Sequence, residues 1–182
     1  MATPIRSLKP TEIYGAIEAR ISRLWHNNDY TTGRLISLDC VLVDHEHEAI
    51  HGTIKARDAD QISQQITEGE VYRITNFNVA PNKPKYKVVP HAAMLQFARA
   101  TSFALITTPT TNIPIHKFYF VDFNQLLSRT DINDVLSDII GMLIEIQELE
   151  ETNVKRKPTP RRTLTIQTSG VKNYKSLFGE KQ

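Results

Sequence analysis

The stretch RLISLDCVLVDHEHEAIHGTIKAR, residues 34–57, decides the fold because two runs of alternating residues flank a polar segment. Apolar side chains take alternate positions in both runs, at Ile36, Leu38, Cys40, Leu42, Ile50, Ile54 and Ala56. Such alternation is typical of strands that bury one face. The polar residues 44–48, DHEHE, then predict the tip of a β-hairpin that joins the two strands.

The second strand carries a polar face opposite its apolar one. His51, Thr53, Lys55 and Arg57 share this polar face. Cationic and hydrogen-bonding side chains on a solvated strand suit a polyanion better than a protein core. We therefore predict that this face lines a binding groove.

Three of the six histidines, His45, His47 and His51, lie in or beside the hairpin tip. A metal site needs three or four ligands that converge at about 2.1 Å, and the sequence brings no second ligand cluster to the tip. We therefore predict a solvated tip over the groove, with His51 at its inner end, and neither a metal nor a cofactor.

Strands extend the pattern on both sides of this hairpin. Residues 17–25 (IEARISRLW) alternate in the same way, and residues 70–81 (EVYRITNFNVAP) resume strand character. Phe77 in the latter run suits the core as well as a ligand contact. Residues 82–89 (NKPKYKVV) then predict a basic loop that presents Tyr86 and leads into the last strand.

A short helix is predicted between the third and fourth strands, over residues 58–69. Asp58 or Asp60 is its expected N-cap, and Gly69 is its expected stop. Three strands, a helix and two more strands are the order of an OB-fold, a five-stranded Greek-key barrel. The predicted class is therefore mainly β, with this barrel over residues 1–105.

Length and charge restrict the classes of function. A chain of 182 residues can bury one good core or one domain and part of a second. Its 22 Lys and Arg nearly balance 20 Asp and Glu, so affinity for nucleic acid must come from local patches. The single cysteine, Cys40, and the lack of an apolar leader or a long apolar run predict a soluble nuclear or cytosolic protein without membrane contact.

A Thr/Pro linker over residues 106–114 is expected to separate the barrel from a partial second OB-like unit, residues 115–182, with a flexible C-terminal tail. There, IIGMLIEIQEL (139–149) and TLTIQTS (163–169) predict two strands joined by a loop, TNVKRKPTPRR. The residues that remain are too few to complete a barrel. An exposed apolar strand within residues 139–168 predicts self-association or a protein partner.

The basic cluster KRKPTPRR, residues 155–162, admits three interpretations. It suits a nuclear-import signal, a phosphate-contacting loop of the partial second unit, or a solvated linker. The sequence does not choose among them.

Several segments in order, EARISRLW, LVDHEHEAIHGTIKAR, EGEVYRITNFNVAPNKPKY and IPIHKFYFVDF, resemble the replication protein A large-subunit family, in particular its plant branch and transposon-associated relatives. The resemblance extends over about residues 5–105 and, in part, over about residues 113–168. It implies an OB-fold that binds single-stranded DNA with little sequence preference, in replication, repair or recombination. Such binding needs cations for the phosphates and aromatic faces on which bases stack.

The resemblance also assigns roles to residues. Arg20 matches a first-strand arginine that contacts DNA in the family, and Tyr86 matches an aromatic on which a base stacks. His51 stands where an arginine is usual, and Lys55 stands where a second stacking aromatic is usual. We therefore expect weaker and more salt-dependent binding than a site with two aromatics gives. Trp25 is either a replacement stacking face or a residue that closes the barrel end.

The predicted nucleic-acid contacts combine these cations, polar groups and aromatics: Arg20, Arg23, Trp25, His51, Thr53, Lys55, Arg57, Lys83, Lys85, Tyr86 and Lys87. No P-loop, nucleophile elbow, HExxH motif or Cys/His cluster occurs, so we predict no enzymatic activity. Two alternatives stay open: a protein-interaction module whose barrel has lost affinity for DNA, and a binder of single-stranded RNA.

Overall fold

The computed structural model describes residues 2–129, 135–154, 157–167 and 173–179, the last of these as backbone alone. The chain forms two compact units. The first reaches past the predicted linker to Tyr119 and includes Val135 and Leu136; the second holds residues 120–129 and the described residues from Ser137 onward. The divisions at residues 105 and 114 remain predictions.

The described residues of the first unit form a 3-10 turn followed by seven strands and one helix. Their bounds are Ile5–Ser7 for the turn, β1 Ala16–Asn28, β2 Leu35–Val43, β3 Ala49–Lys55, α1 Ala56–Ser63, β4 Val71–Thr75, β5 Asn78–Pro81, β6 Ala93–Phe97 and β7 Ser102–Leu105. The alternating residues quoted above thus form β1, β2 and β3, as the sequence predicts.

The strands follow the order β5-β6-β3-β2-β1-β4-β7. Neighbouring strands are antiparallel except β3 and β6, which are parallel. Only Asn76 and Phe77 separate β4 from β5, and Asn76 lies in the left-handed region with φ 56°. Because β4 and β5 thus form one nearly continuous run, the strand order returns to its start and closes a barrel. The predicted mainly β OB-fold is confirmed, with β7 added beside β4.

The barrel core comes from the inward positions of these strands. Its fully buried side chains include Ile17, Ile21, Leu38, Leu42, Ile50, Ile54, Ile62, Ile74 and Leu95. Phe77 belongs to this core as well. Gly52 keeps the core closed, since a Cβ there would lie 2.7 Å from both Cys40 Sγ and Phe97 Cε2.

Two predicted inward residues do not join the core. Ile36 is 52% exposed because the pairing of β1 with β2 shifts between Asn27 and Asn28, so that the adjacent Leu35 packs against the core instead. Ala56 is the first residue of α1, so the strand prediction for Ala56 and Arg57 is wrong.

The helix also begins and ends earlier than predicted. Lys55 occupies the N-cap position without a side-chain cap, and Asp58 lies in the first turn, where its charge favours the helix N-terminus. Gly69 is not the helix stop; with φ 93° it forms the turn before β4, and its N–H donates to the Ile21 carbonyl at 2.7 Å.

The polar tip of the β2–β3 hairpin is confirmed. Asp44 is buried, and its carboxylate accepts hydrogen bonds from the backbone N–H groups of Ile5, Glu46 and Glu48 at 2.7–3.0 Å. His45 and His47 are exposed. Across the part of the chain that the structure describes, no His, Cys, Asp and Glu side chains are grouped as a metal site requires.

In the second unit, the residues that the structure describes form a short helix and four strands. Their bounds are α2 Phe123–Leu126, followed by a 3-10 turn, Leu127–Arg129, then β8 Met142–Ile146, β9 Glu150–Val154, β10 Lys157–Gln167 and β11 Asn173–Gly179. The order is β11-β10-β8, and β9 also pairs with β10. The predicted strands within 139–149 and 163–169 are found as β8 and β10. No helix among the described residues has the length and apolar character to cross a bilayer.

One prediction for this unit is wrong. Residues 150–154 and 157–161 pair as strands, so the segment predicted as a loop forms a ladder on both sides of residues 155–156, which lie outside the described residues. Residues 173–179 form β11 against β10, and the flexible C-terminal tail remains a prediction. Residues 168–172 and 180–182 also lie outside the described residues.

Candidate nucleic-acid interface

The outward side chains of β1, β2 and β3 form one surface, which we name the outer face. Strand register places them in four rows: Asn27, Ser37 and Lys55; Trp25, Asp39 and Thr53; Arg23, Val41 and His51; Arg20, Val43 and Ala49. The other side of these strands faces the barrel core. In an OB-fold the middle strands and the adjoining loops bind the ligand.

A β-bulge at Ser22 determines which side chains of β1 reach the outer face. The pairing with β2 shifts between Ile21 and Arg23, so Arg20 and Arg23 both point outward despite their odd spacing. Ser22 is buried, and its Oγ lies 3.3 Å from Nδ1 of His116.

The last two rows form the covered half of the outer face. Val41, Val43 and Ala49 are buried there in a cluster with Val89, and Trp25, Val88 and Tyr119 pack against that cluster. Residues 113–119, which we name the strap, cross this half of the face. The sequence alternation marks these positions as outward, but later segments of the chain bury them.

Arg20 and Arg23 both bind the strap in this structure. Arg20 donates from Nε and Nη2 to the Ile113 carbonyl, at 3.2 and 2.8 Å, and from Nη1 to the Gly69 carbonyl. The guanidinium of Arg23 lies 5.1 Å from the centre of the Phe118 ring. Both arginines therefore make contacts within the protein, and their contact with DNA remains a prediction.

His51 is fully buried, so its predicted place on a solvated groove is wrong. Its ring stacks on that of Trp25, with centroids 5.9 Å apart and planes 12° apart. Its Nε2 lies 3.6 Å from Oδ2 of Asp39. A nucleic acid on the outer face would meet the half-buried Trp25 before His51.

The first two rows form the open half of the outer face, where Lys55 is exposed and Asn27, Trp25 and Thr53 are half-buried. A cleft of about 570 Å³ adjoins it. Asp29, Thr32, Arg34, Leu35, Ile36, Lys55, Ala56 and Arg57 line this cleft. Three cations and an exposed isoleucine thus surround a concave surface beside Trp25 and Thr53.

Arg34 and Ile36 were not among the predicted contacts. Their position in the sequence could have indicated this role. Both residues lie where the polar segment 29–33 joins β2, and OB-folds bind ligands with such loops. Asp29 orders this loop by accepting hydrogen bonds from Thr31 N at 3.0 Å and Thr32 N at 2.7 Å. Arg34 follows directly, and its carbonyl accepts from Asp29 N at 2.8 Å.

The cations of the cleft differ in their surroundings. Arg57 forms an ion pair with Asp58, with Nε and Oδ2 3.3 Å apart, so part of its charge is neutralised. Arg34 and Lys55 are exposed. We therefore expect these two to contribute more to a phosphate site than Arg57.

The loop between β5 and β6 carries the remaining predicted contacts. Lys83, Lys85 and Tyr86 are exposed, and Lys87 is half-buried with its carbonyl accepting from Leu136 N at 2.9 Å. Tyr86 is 58% exposed and adopts φ 55°, a left-handed conformation that is unusual for a bulky residue. The ring is accessible for stacking.

Two buried titratable groups lie along β2. Burial raises the pKa of the Asp39 carboxyl, but the neighbouring His51 and Thr53 outweigh burial and hold that pKa below its usual value. Thr53 Oγ1 donates to Asp39 Oδ1 at 2.5 Å. Burial raises the pKa of the Cys40 thiol far above its usual value, so this thiol is unreactive.

The structure therefore sorts the predicted contacts into three groups. Trp25, Thr53, Lys55 and Arg57 meet at or beside the open half, and Lys83, Lys85, Tyr86 and Lys87 share one loop. Arg20 and Arg23 contact the strap, and His51 is buried.

Known proteins are similar to this chain in sequence and in fold. The yeast Saccharomyces cerevisiae replication factor A protein 1 is 25% identical over 168 residues, which cover 89% of this chain and 26% of that protein. A solved structure of a replication protein A heterotrimer bound to single-stranded DNA contains a chain with 24% identity and a TM-score of 0.62. The match covers 98% of this chain and 41% of that chain.

A family model described as domain of unknown function DUF223 matches residues 6–129. This range contains the whole barrel, the strap and every predicted contact. The match spans more than half of the chain, so the chain belongs to this family, and its resemblance to the replication protein A large subunit is confirmed.

Proposed function

We propose that this chain is a non-enzymatic module that binds single-stranded DNA across the open half of the outer face and the loop at residues 82–92. The observation that carries the proposal is the cleft where Arg34, Lys55 and Arg57 surround a concave surface beside Trp25. The cations neutralise phosphates, and Trp25 and Tyr86 offer rings to the bases.

The chemistry of the cleft favours a polyanion over an uncharged ligand. Each phosphate contact to a single strand contributes about 0.7 to the slope of log affinity against log salt. Three cations around one cleft, with Lys83 and Lys85 on the loop, are enough for a salt-dependent site. The ionised Asp39 does not oppose this, because it is buried and accepts a hydrogen bond from Thr53.

The comparisons support DNA as the ligand. The solved structure is a heterotrimer bound to single-stranded DNA, and one of its chains shares the fold of this chain. We further propose a nuclear protein that acts in DNA replication, repair or recombination, as the yeast relative's name, replication factor A, suggests. Single-stranded RNA is the alternative ligand for the same surface.

A second candidate function rests on the second unit. All five residues of β8 are exposed, and they include Met142, Leu143, Ile144 and Ile146. An exposed apolar strand of this kind suits self-association or a protein partner. Sedimentation of the chain at several concentrations, beside a Leu143→Lys and Ile144→Lys double variant, separates self-association from a monomer.

The proposed function is tested by the fluorescence anisotropy of labelled oligo-dT at several salt concentrations. The wild-type chain is expected to bind at micromolar concentration or tighter, and increasing salt is expected to weaken binding. Lys55→Ala is expected to lower the salt slope by about 0.7. Lys9→Ala, which removes an exposed lysine from the N-terminal segment, is the matched control and is expected to change nothing.

No binding of oligo-dT at low salt would contradict the proposal. Tighter binding of oligo-rU than of oligo-dT would replace DNA with RNA as the ligand.

A further inference from the structure

The least expected buried residue in the barrel is His51. It is fully buried, yet neither of its ring nitrogens makes a hydrogen bond to a described residue. A buried polar group without a partner destabilises the fold, because it has lost its hydrogen bonds to water. An apolar residue at this position would avoid that cost, so the imidazole requires a physical explanation.

Two contacts define the surroundings of the imidazole. One face of the ring lies on Trp25, with centroids 5.9 Å apart and an interplanar angle of 12°. Its Nε2 lies 3.6 Å from a carboxylate oxygen of Asp39. Asp39 is itself held by Thr53, whose hydroxyl donates to its other oxygen at 2.5 Å. The four side chains therefore form one connected group on adjacent strands.

Within this group, each residue restricts the next. Thr53 fixes the carboxylate of Asp39, the carboxylate lies beside the edge of the His51 ring, and the ring supports the indole. Trp25 is the only member with a partly exposed ring. The orientation of the half-buried Trp25 side chain thus depends on two buried polar ones, those of His51 and Asp39.

We propose that His51 is the positioning residue of Trp25: supported by Asp39, its imidazole fixes the plane in which the indole is presented to a base. This inference rests on the proposed function, since it concerns how the same site holds a single strand. His51 itself does not touch the ligand.

The sequence provides a direct probe, because Trp25 is the sole tryptophan of the chain. Acrylamide quenching of its fluorescence is measured for the wild-type chain, for His51→Gln and for His51→Phe, which keeps an aromatic ring. Loss of the stacked ring is expected to make the indole of His51→Gln easier to quench, whereas His51→Phe should stay close to the wild-type chain. His26→Gln removes an exposed imidazole next to Trp25 in sequence and is expected to keep the wild-type quenching. Equal quenching of all four chains would overturn the proposal.

A second variant tests the role of the carboxylate without removing the imidazole. Asp39→Asn is expected to make Trp25 easier to quench, because the charge that lies 3.6 Å from Nε2 of His51 is gone. Unchanged quenching would contradict the role of Asp39 in supporting His51. This variant also keeps the test informative if His51→Phe does not fold.

Binding gives the final test. Anisotropy with oligo-dT at pH 7.5 measures the affinity of His51→Gln, which lacks the stacked ring. This variant is expected to bind about tenfold more weakly, a loss within the range that one base stack contributes to affinity. His51→Phe is expected to recover part of that loss. Folded variants with wild-type affinity would overturn the proposal. If the wild-type chain binds no oligo-dT, the proposed function fails, while the quenching of Trp25 still reports separately on the contact between His51 and Trp25.

Discussion

The two halves of the outer face are built by the same three strands with the same alternation, yet they have different surroundings. In the covered half, Val41, Val43 and Ala49 are buried beneath later segments of the chain. In the open half, Lys55 is exposed beside a cleft. The alternation of a strand therefore determines the direction of a side chain, whereas the rest of the chain determines whether a ligand can reach it.

Arginine illustrates the difference well. Arg20 in the covered half donates three hydrogen bonds to two backbone carbonyls. Arg34 beside the open half lines the cleft. The same side chain thus stabilises the fold in one place and is available to a phosphate in the other.

The largest expected effect is a loss of stability in the covered half. Arg20→Ala is expected to lower the free energy of unfolding by about 2–3 kcal/mol, because the carbonyls of Ile113 and Gly69 lose their charged donor. Arg20→Lys should recover little of it, since one ammonium cannot reproduce the fork of donors. Urea unfolding measures this, with Arg34→Ala as the control that should keep wild-type stability. Unchanged stability of Arg20→Ala, with a smaller salt slope of DNA binding, would instead assign Arg20 to the ligand.

Loss of an aromatic platform should have the next largest effect. Tyr86→Ala is expected to weaken oligo-dT binding by about 1–2 kcal/mol, because its exposed ring stacks on a base. Tyr86→Phe keeps the ring and should bind like the wild-type chain. Equal losses in both variants would show that the hydroxyl, rather than stacking, makes the contact.

The cations of the cleft should give smaller, graded effects. Arg34→Ala is expected to reduce the salt slope of binding by about 0.7. Arg57→Ala should reduce it less, because Asp58 already neutralises part of its charge. Asp58→Asn should strengthen binding for the same reason. Anisotropy over a salt series ranks the three, and a larger effect of Arg57→Ala than of Arg34→Ala would reverse the assignment.

The smallest effect concerns acid stability. The pKa of Asp39 is lower in the folded chain than its ordinary value of 3.8, so its ionised form stabilises the fold above that pH. This contribution is lost as the pH falls below 3.8 through the folded-state pKa. Asp39→Asn should therefore show a shallower decrease in stability than the wild-type chain over that acid range. Identical acid-unfolding curves would contradict the assignment.

Most of the barrel was predictable because alternation reports directly on burial against a core. The inward residues of β1, β2 and β3 followed that pattern, apart from Ile36 and Ala56 at the ends of their strands. The helix bounds were less predictable, since β3 passes into α1 at Lys55 without a side-chain cap.

The candidate site was less predictable than the fold. Burial of His51 depends on Trp25 and on the segments that cover its half of the face, all distant in sequence. Local periodicity contains no information about such contacts. The prolines at 158 and 160 belong to the segment predicted as a loop, yet they lie in β10, where the described residues pair them with β9 alone, and such an edge position tolerates proline.

The central claim, that a single strand binds the open half and not the covered half, is tested most directly by amide hydrogen exchange with and without oligo-dT. We predict slower exchange in residues 29–37, 53–57 and 82–87, and no change in the strap, residues 113–119. Protection concentrated in the strap, with the cleft unchanged, would contradict the account.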